Sequence, residues 1–367
     1  MSFKKRFRKR LRKSPIGRFL RARQIRSELA ARHQRYPELI WSLGPFAPLE
    51  RVEVGRLQIG PRVYTFGGYV TLSRVTRRVE CFDLETKRWH SLGNLPEGAA
   101  ETHRGLCSDG GETIFYIGGQ KGPQCHPATN RCFAFNTEIG SWQELPPLPE
   151  ARYAPLVAYH KGRIHCLSGV RPDRCSSANE HWSLAIDQGQ AAEKTWRTDK
   201  PLPSPRTHTA SLLVGDELFV FGGQETDVPP IEGDPLYRCD FNTPFDRVTD
   251  ACFAFHLETG AMRDLAPMPE PISHSEDAIC RVGKHCIIAG GVYDRARMCD
   301  KIFVYDLEQD RWSPAGRLPY PMKCKVAAYW NQELAIALGQ RSVSETDLRP
   351  REVLDTVFYT RLELAES

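Results

Sequence analysis

One spacing recurs six times along the chain and limits what it can fold into. A tryptophan or methionine is followed seven residues later by a proline, and an apolar residue stands directly before that proline. The six pairs are Trp41 and Pro48, Trp89 and Pro96, Trp142 and Pro149, Trp196 and Pro203, Met262 and Pro269, and Trp312 and Pro319. Such regular self-similarity predicts a repeat architecture rather than two or three unrelated domains.

Four of these units share a second pattern around the large apolar residue. An aromatic residue comes first, polar or turn-forming residues follow, and the tryptophan or methionine ends the segment. The segments are Phe82–Trp89, Phe135–Trp142, Phe255–Met262 and Tyr305–Trp312. This pattern predicts one β-hairpin repeated in register.

A glycine pair, with one glycine replaced in the third and sixth units, follows the second predicted strand of each unit. The pairs are Gly67-Gly68, Gly118-Gly119, Gly222-Gly223 and Gly290-Gly291, with Ser168-Gly169 and Leu338-Gly339 in the third and sixth units. Glycine at a strand end permits close approach of another backbone. Each unit therefore contains four strands in about 50 residues, a period typical of propeller blades.

The last unit lacks a tryptophan strand of its own, and the start of the chain supplies one. The final predicted strand runs near Val357–Leu364, while Trp41 lies in a predicted strand at Leu39–Leu43. Pairing of these two strands would leave no free sheet edge. We therefore predict an all-β fold, a six-bladed β-propeller at residues 37–367, closed by its N-terminal strand.

These diglycine, aromatic and tryptophan positions resemble the kelch repeat, and the resemblance covers about residues 37–367. Met262 in place of tryptophan and an enlarged fourth unit depart from the family pattern. The resemblance implies the propeller fold, but kelch propellers include protein-binding modules, actin-associated scaffolds, sugar epimerases and copper oxidases. Function must therefore be argued from the site.

Residues 1–36 carry a net charge of +13, and the rest of the chain carries −8. Residues 3–13 read FKKRFRKRLRK, with Phe3, Phe7 and Leu11 spaced four residues apart. This spacing predicts a basic amphipathic helix that can lie on an anionic membrane surface.

Pro15 interrupts that helix, and a second one is predicted over Ile16–His33, with Phe19, Leu20 and Ile25 partly on one side. A nucleic-acid-binding cluster, an organelle transit peptide and a solvated disordered arm remain alternatives for the tail. The chain lacks an apolar stretch of about 20 residues and the apolar core of a secretory signal. A cytoplasmic location is expected, with attachment to a membrane periphery left open.

The cysteines are expected to be structural. Eight of the twelve lie among apolar residues of predicted strands and are interpreted as small core residues: Cys81, Cys107, Cys132, Cys166, Cys252, Cys280, Cys286 and Cys324. The other four, Cys125, Cys175, Cys239 and Cys299, fall in loops of different predicted blades without CxxC spacing. We therefore expect no metal and no cofactor.

Candidate ligand contacts lie on one predicted face, where fourth-to-first and second-to-third strand loops both open. The longest of these loops, Gln224–Asp250, contains Tyr237, Phe241 and Phe245 among acidic residues. The predicted ligand-binding residues are Arg152, Arg206, His208, His274, Tyr237, Arg171 and Arg295, with Glu53, Glu101 and His103 nearby. The alternative is that such arginines and histidines hydrogen-bond to the loops of neighbouring blades.

These observations favour a non-catalytic, monomeric propeller that binds a protein or carbohydrate partner on this face and is localised by its tail. Nucleic acid is the less favoured partner. The alternative is a sugar-acting enzyme of the epimerase or mutarotase type, with His103, His208 and Glu276 as acid and base groups. No serine-nucleophile or phosphate-loop motif is present.

Overall fold

A computed structural model describes residues 14–71, 73–123, 126–227, 231–234, 248–294 and 297–364. Within them, one α-helix, Pro15–Arg35, precedes a body of antiparallel strands. None of the described helical residues forms a span long and apolar enough to cross a membrane.

Six of the sheets have at least four antiparallel strands each, and we number them along the chain. Sheet 1 contains Gly55–Ile59, Arg62–Phe66, Arg78–Asp83 and Arg88–Asn94. Sheet 2 contains Gly105–Ser108, Thr113–Ile117, Cys132–Asn136 and Ser141–Leu145. Sheet 3 contains Leu156–His160, Arg163–Leu167, His181–Asp187, Gln190–Ala191 and Arg197–Thr198. Sheet 4 contains Ala210–Val214, Glu217–Phe221, Cys252–His256 and Met262–Leu265.

Sheets 5 and 6 and two smaller sheets complete the strand set of the described residues. Sheet 5 contains Ile279–Val282, His285–Val292, Met298–Asp306 and Arg311–Arg317. Sheet 6 contains Val326–Trp330, Glu333–Ala337, Val357–Arg361 and Ser42–Leu43. The smaller sheets are the pair Tyr69–Thr71 and Arg74–Val75, and the three strands Met322–Lys323, Gln340–Arg341 and Glu352–Val353.

The first strands of the six sheets follow one another around a common axis. Each contacts the first strands of two other sheets, and these contacts lead from sheet 1 through sheets 2 to 6 and back to sheet 1. Such an arrangement is a β-propeller, in which the first strands line a central channel.

The repeated aromatic residues form the cores between the sheets. Phe135 and Trp142 are partners in the third and fourth strands of sheet 2, and their ring centroids lie 4.6 Å apart. Phe66 from sheet 1 meets Tyr116, Phe135 and Trp142 of sheet 2 in edge-to-face contacts, at 5.7 to 6.0 Å. The hairpins predicted from the sequence therefore present their aromatic residues to the neighbouring sheet.

The N-terminal strand pairs with the last strand of the chain, as the sequence predicted, but over a shorter length. Ser42 is the partner of Tyr359, and Leu43 is the partner of Phe358. Trp41 precedes this strand, and its indole Nε1 donates to the carbonyl of Arg317, 2.7 Å away, in sheet 5. The N-terminal segment therefore contacts two sheets.

The helix begins with a capped turn and packs against sheets 5 and 6. The Ser14 side chain accepts a hydrogen bond from the Gly17 amide at 3.1 Å, and proline occupies the first turn. Ile25 and Leu29 are buried in the same core as Phe358. Phe19 and Leu20, which the sequence analysis grouped with Ile25, are instead exposed. Residues 3–13, with the other predicted helix, lie outside the described residues.

A buried arginine fastens the helix to the propeller. Arg32 donates from Nε to the carbonyl of Leu318 at 2.7 Å and pairs with Asp300 and Glu345, each at 2.5 Å. Near the other end of the helix, Arg21 pairs with Asp355 at 2.6 Å. The division of the chain at residue 36 stays a prediction, but the helix shares contacts with both neighbouring sheets.

The eight cysteines predicted to be core residues are all buried. Cys324 is buried as well, but it lies directly after the strand Met322–Lys323 and not within a strand as predicted. Among the four assigned to loops, Cys175 is exposed, whereas Cys299 is buried in the strand Met298–Asp306, so its loop assignment was wrong. Cys125 and Cys239 lie outside the described residues.

Candidate functional site

Six residues with left-handed backbone surround the channel, one before each first strand. Their φ angles lie between 46° and 56°, a region that non-glycine residues rarely occupy. They are Glu53, His103, Ala154, His208, His274 and Cys324, here called the ring residues. Because this conformation recurs before the first strand of all six sheets, the same backbone turn is used in each of them.

The glycine pairs explain why the backbone turns at the ring residues. In every sheet, the residue before the ring residue pairs with the residue after the glycine pair, as Thr102 does with Gln120. This pairing brings the two backbones close together. A Cβ atom on Gly119 would lie 2.8 Å from the carbonyl oxygen of Thr102, so no larger residue fits without a shift.

Sheet 5 differs from the other sheets by two additional residues at the channel. In sheet 4, Ala210 begins the first strand two residues after His208. In sheet 5 the equivalent Ala278, whose carbonyl accepts from the amide of Ala289, comes four residues after His274. The longer segment places the carboxylates of Glu276 and Asp277 beside the channel.

His208 is the charged centre of the ring. Its Nδ1 lies 3.1 Å from Oε1 of Glu276, and its Nε2 lies 3.6 Å from Oδ2 of Asp227. Burial opposes the charge on His208, but bonds to these two carboxylates outweigh it and raise its pKa to about 10. At neutral pH, His208 is therefore an imidazolium between two acids.

The neighbouring histidines are neutral. His274 stacks on His208 with ring centroids 4.3 Å apart, and His103 meets His208 edge to face at 5.3 Å. Burial, and then the positive charge of His208, lower the pKa of His103 to about 3 and that of His274 well below its usual value. His103 Nε2 also lies 3.2 Å from Oε2 of Glu53, whose pKa burial raises.

Asp277 ties sheet 5 to two other sheets across the channel. Its Oδ1 accepts from the Arg56 amide at 2.8 Å, and its Oδ2 lies 3.3 Å from the Arg104 guanidinium. Burial raises the pKa of Asp277 to about 6, although Arg104 opposes that rise. Asp277 was missed by the sequence analysis, although the two extra residues before the sheet 5 strand were a readable signal.

The channel cavity beside these groups is small. It has a volume of about 100 Å³ and is lined by Glu53, His103, His208, Glu276, Asp277 and Cys324, among others. Small-molecule sites are usually about 300–1,000 Å³, and one water occupies about 30 Å³. The structure thus brings His103, His208 and Glu276 together, as an enzyme would need. The cavity beside them, however, has room for only a few water molecules.

Comparison with known proteins places the chain among its relatives. The KLHDC2/KLHL20/DRC7 Kelch-repeats domain matches residues 107–339, and the Kelch motif matches residues 54–96. The chain belongs to the kelch-repeat family. The resemblance drawn from the sequence is therefore confirmed.

Among its curated kelch relatives is the Kelch repeat-containing protein At3g27220 of Arabidopsis thaliana, which is 32% identical over 333 residues, covering 89% of this chain and 77% of that protein. Beta-scruin of Limulus polyphemus is 22% identical over 267 residues, which are 71% of this chain and 27% of beta-scruin. Kelch domain-containing protein 8B of Rattus norvegicus is 29% identical over 153 residues, which are 39% of this chain and 41% of that relative. This kelch chain therefore spans about a quarter of beta-scruin.

Buried arginines support the kelch sheets two residues before three of the ring residues. Arg152 is fully buried, with its guanidinium 3.0 Å from Glu150 and 4.8 Å from the centre of the Trp182 ring. Arg206 is also buried, donates to Ser204 Oγ at 2.8 Å and covers the Phe253 ring. Arg51 is the equivalent in sheet 1. Both arginines are therefore buried and bonded to residues of their own sheets and of the loops before them, and their contact with a ligand stays a prediction.

The remaining predicted contacts lie near the rim of the kelch propeller. Arg171 is partly exposed and pairs with Glu150, 2.7 Å away, and with Glu180. Tyr237 and Arg295 lie outside the described residues. The base of the long sheet 4 loop is anchored by Asp227, which accepts a 2.6 Å hydrogen bond from the Tyr153 hydroxyl. Asp227 is one of the acidic residues of the long loop noted in the sequence, whereas Tyr153 was not singled out.

Proposed function

We propose that this chain is a non-catalytic, protein-binding kelch propeller of six blades, closed by its N-terminal strand. The circuit of first-strand contacts and the pairing of Ser42–Leu43 with the last strand support the blade number and the closure. Kelch-repeat proteins generally act as protein-interaction scaffolds, and kelch relatives are typically non-enzymatic.

The small cavity beside the ring residues is the observation that carries this proposal. His103 is paired with Glu53 and His208 with Glu276, and the space beside these groups is about 100 Å³. A sugar substrate needs a larger site with groups free to move protons. Recognition is therefore assigned to the surface loops.

The partner binds, in our proposal, on the loop face, meaning the side formed by the second-to-third and fourth-to-first strand loops. Ile231 in the sheet 4 loop and Val343 in the sheet 6 loop are exposed there. Arg171 lies in the corresponding loop of sheet 3, and Tyr237 and Arg295 belong to the loops of sheets 4 and 5 by sequence position. Exposed apolar residues among arginines and aromatics suit a protein interface.

Site-specific crosslinking tests this assignment. A photoreactive residue is placed at Val343 on the loop face, and in a matched protein at Ile139, which is exposed in the third-to-fourth strand turn of sheet 2 on the opposite side. We expect a specific protein adduct from position 343 and none from position 139.

Binding of the identified partner is then measured with purified proteins. Val343→Asp and Ile231→Asp should weaken binding at least tenfold, and Ile139→Asp should leave it unchanged. Crosslinks only at position 139, or equal binding by all three variants, would show that the loop face is not the interface. Saturable shifts of the His103 or His208 imidazole signals with monosaccharides would favour the enzyme alternative.

We further propose that the basic tail attaches the propeller to anionic membranes. The helix exposes Ile16, Phe19 and Leu20, and eight lysines and arginines precede it in residues 3–13. Apolar side chains beside a basic segment suit an anionic lipid surface.

Vesicle sedimentation tests the tail. We expect binding to phosphatidylserine vesicles that weakens with salt, and at least tenfold weaker binding by the Phe19→Asp, Leu20→Asp double variant. Ile139→Asp is the matched control. Absence of vesicle binding at low salt, together with tight binding to RNA, would favour the nucleic-acid alternative.

A further inference from the structure

A second cluster of histidine and carboxylate groups lies in sheet 3, on three successive stretches of chain. His165 is in the second strand, His181 begins the third, and Asp199 follows the short strand Arg197–Thr198. One side-chain donor atom from each lies within 4.8 Å of the other two. His165 Nδ1 is 2.8 Å from His181 Nε2, which is 4.0 Å from Asp199 Oδ2.

The hydrogen bond on the other side of the His181 ring sets its tautomer. Its Nδ1 lies 3.1 Å from the backbone carbonyl of Lys200, which can only accept, so Nδ1 carries the proton. The lone pair of Nε2 therefore accepts the hydrogen bond from His165 Nδ1–H, and an ion bound by both nitrogens would take the place of that proton, with His165 protonated on Nε2 instead. Metal-bound histidines commonly donate their other ring N–H to a carbonyl in this way.

Asp199 presents one carboxylate oxygen to the histidines. Its backbone amide donates to the His181 carbonyl at 2.9 Å, which holds the two residues side by side. Oδ1 accepts from Arg197 at 2.8 Å, while Oδ2 is buried without a well-formed hydrogen bond, with the Ser183 hydroxyl as a polar neighbour. A buried carboxylate oxygen beside a histidine lone pair is a suitable cation ligand.

We propose that His165, His181 and Asp199 bind a divalent transition-metal ion, best matched by Zn²⁺, as a structural clasp on sheet 3. Two imidazole nitrogens and one carboxylate oxygen are ordinary zinc ligands, with water in the fourth position. Donors 2.0 Å from a tetrahedral ion lie about 3.3 Å apart. The observed 2.8 and 4.0 Å separations lie on either side of that value.

The charges around the cluster allow an ion to enter. Arg163 is a positively charged neighbour of His165, and its guanidinium lies 2.9 Å from the carboxylate of Glu193. Arg197 is largely exposed and can turn into solvent when Asp199 binds an ion. Asp199 is the partly exposed member of the cluster, so water and metal reach the site from its side.

The clasp would act where sheet 3 is weakest. Both short outer strands, Gln190–Ala191 and Arg197–Thr198, pair with the third strand, and each does so over two residues. The other large sheets keep one continuous fourth strand among the described residues, except that sheet 6 uses Ser42–Leu43. The outer edge of sheet 3 is divided between these two short strands and has few inter-strand hydrogen bonds. An ion bound to three stretches of the sheet would add links between them.

Zinc binding by the whole chain tests the proposal. Protein stripped with EDTA is titrated with Zn²⁺ by calorimetry, and bound metal is counted after desalting. We expect one Zn²⁺ per chain, a higher Tm with Zn²⁺ than with EDTA, and the visible absorption of tetrahedral cobalt when Co²⁺ is used instead.

Variants then locate the ion. His181→Gln and Asp199→Asn should each weaken Zn²⁺ binding by ten- to a hundredfold or more and abolish the Tm gain. His160→Gln is the control, because this nearby histidine lies 3.0 Å from Asp216 rather than in the cluster. Stripped wild-type protein that binds no stoichiometric Zn²⁺ would overturn the proposal whether or not the variants fold, and so would unchanged binding by both cluster variants.

Discussion

His208 Nδ1 lies 3.1 Å from Glu276 Oε1, and this contact joins sheets 4 and 5 at the channel. The carboxylate reaches the imidazole because the segment before the first strand of sheet 5 is two residues longer than its counterparts. Because burial makes an unpaired charge costly, each partner depends on the other. The contact is therefore a structural element of the channel.

Replacing His208 should destabilise the fold in a pH-dependent way. His208→Gln removes the cation between Glu276 and Asp227, and we expect a loss of about 3 kcal/mol in the free energy of unfolding at pH 6.5. The folded-state pKa of about 10 is raised, so this contribution is complete below the unfolded pKa of about 6.5 and is lost as pH rises toward 10. Urea unfolding of both proteins from pH 6.5 to 10 should show the difference shrinking. The exposed His90→Gln serves as control, and a pH-independent difference would contradict the charge on His208.

The N-terminal helix should stabilise the propeller. Leu29→Ala should cost about 2–5 kcal/mol through the cavity it leaves, and Arg32→Ala about 3 kcal/mol by breaking its buried bonds. Arg26→Ala, on the exposed side of the helix, should change the unfolding free energy by less than about 0.5 kcal/mol. Because residues of the helix make these contacts, removal of residues 1–36 should also lower the Tm. Equal Tm values for all three variants would show that the helix does not stabilise the propeller.

The repeat position held by Trp142 in sheet 2 and by Met262 in sheet 4 should contribute very different amounts to the free energy of unfolding. Trp142 contacts four aromatic rings, and Trp142→Ala should cost about 3–5 kcal/mol. Met262 occupies the same position in sheet 4 but is 38% exposed, so Met262→Ala should cost under about 1 kcal/mol. Chemical denaturation of the two variants measures both values. Similar losses would mean that the exposed methionine packs as the tryptophan does.

Substitution of Arg206 should mainly lower stability, whereas substitution of Arg171 should mainly weaken partner binding. Arg206→Ala removes a buried side chain from Phe253 and should lower the unfolding free energy by about 2–3 kcal/mol, whereas the sequence predicted Arg206 as a ligand contact. Arg171→Ala, on the loop face, should weaken partner binding with a smaller effect on stability, because surface ion pairs contribute about 0–1 kcal/mol. Thermal melts and affinity measurements on both variants check this. A stable Arg206→Ala protein that fails to bind would reinstate Arg206 as a contact residue.

The repeat was readable from the sequence because hairpins depend on residues close in the chain. The aromatic of Phe135 and the indole of Trp142 are seven residues apart, and a two-strand hairpin with a short turn necessarily pairs them. Local spacing also predicted that the glycine pairs lie at strand ends, that eight cysteines are buried and that a strand lies near Trp41. It also identified His103, His208 and Glu276 as members of one channel-facing group.

The tertiary structure alone decided the surroundings of those groups. Burial of Arg206 under Phe253 depends on a distant strand of sheet 4, and the charge of His208 depends on Asp227 of the sheet 4 loop and on Glu276 of sheet 5. His165 and Asp199 are likewise separated by a long stretch of chain, with no metal-binding spacing, and meet only because sheet 3 folds them beside His181. Local spacing therefore determined the strands and their hairpins, whereas protonation states, burial and the candidate metal site required the contacts between distant residues that packing creates.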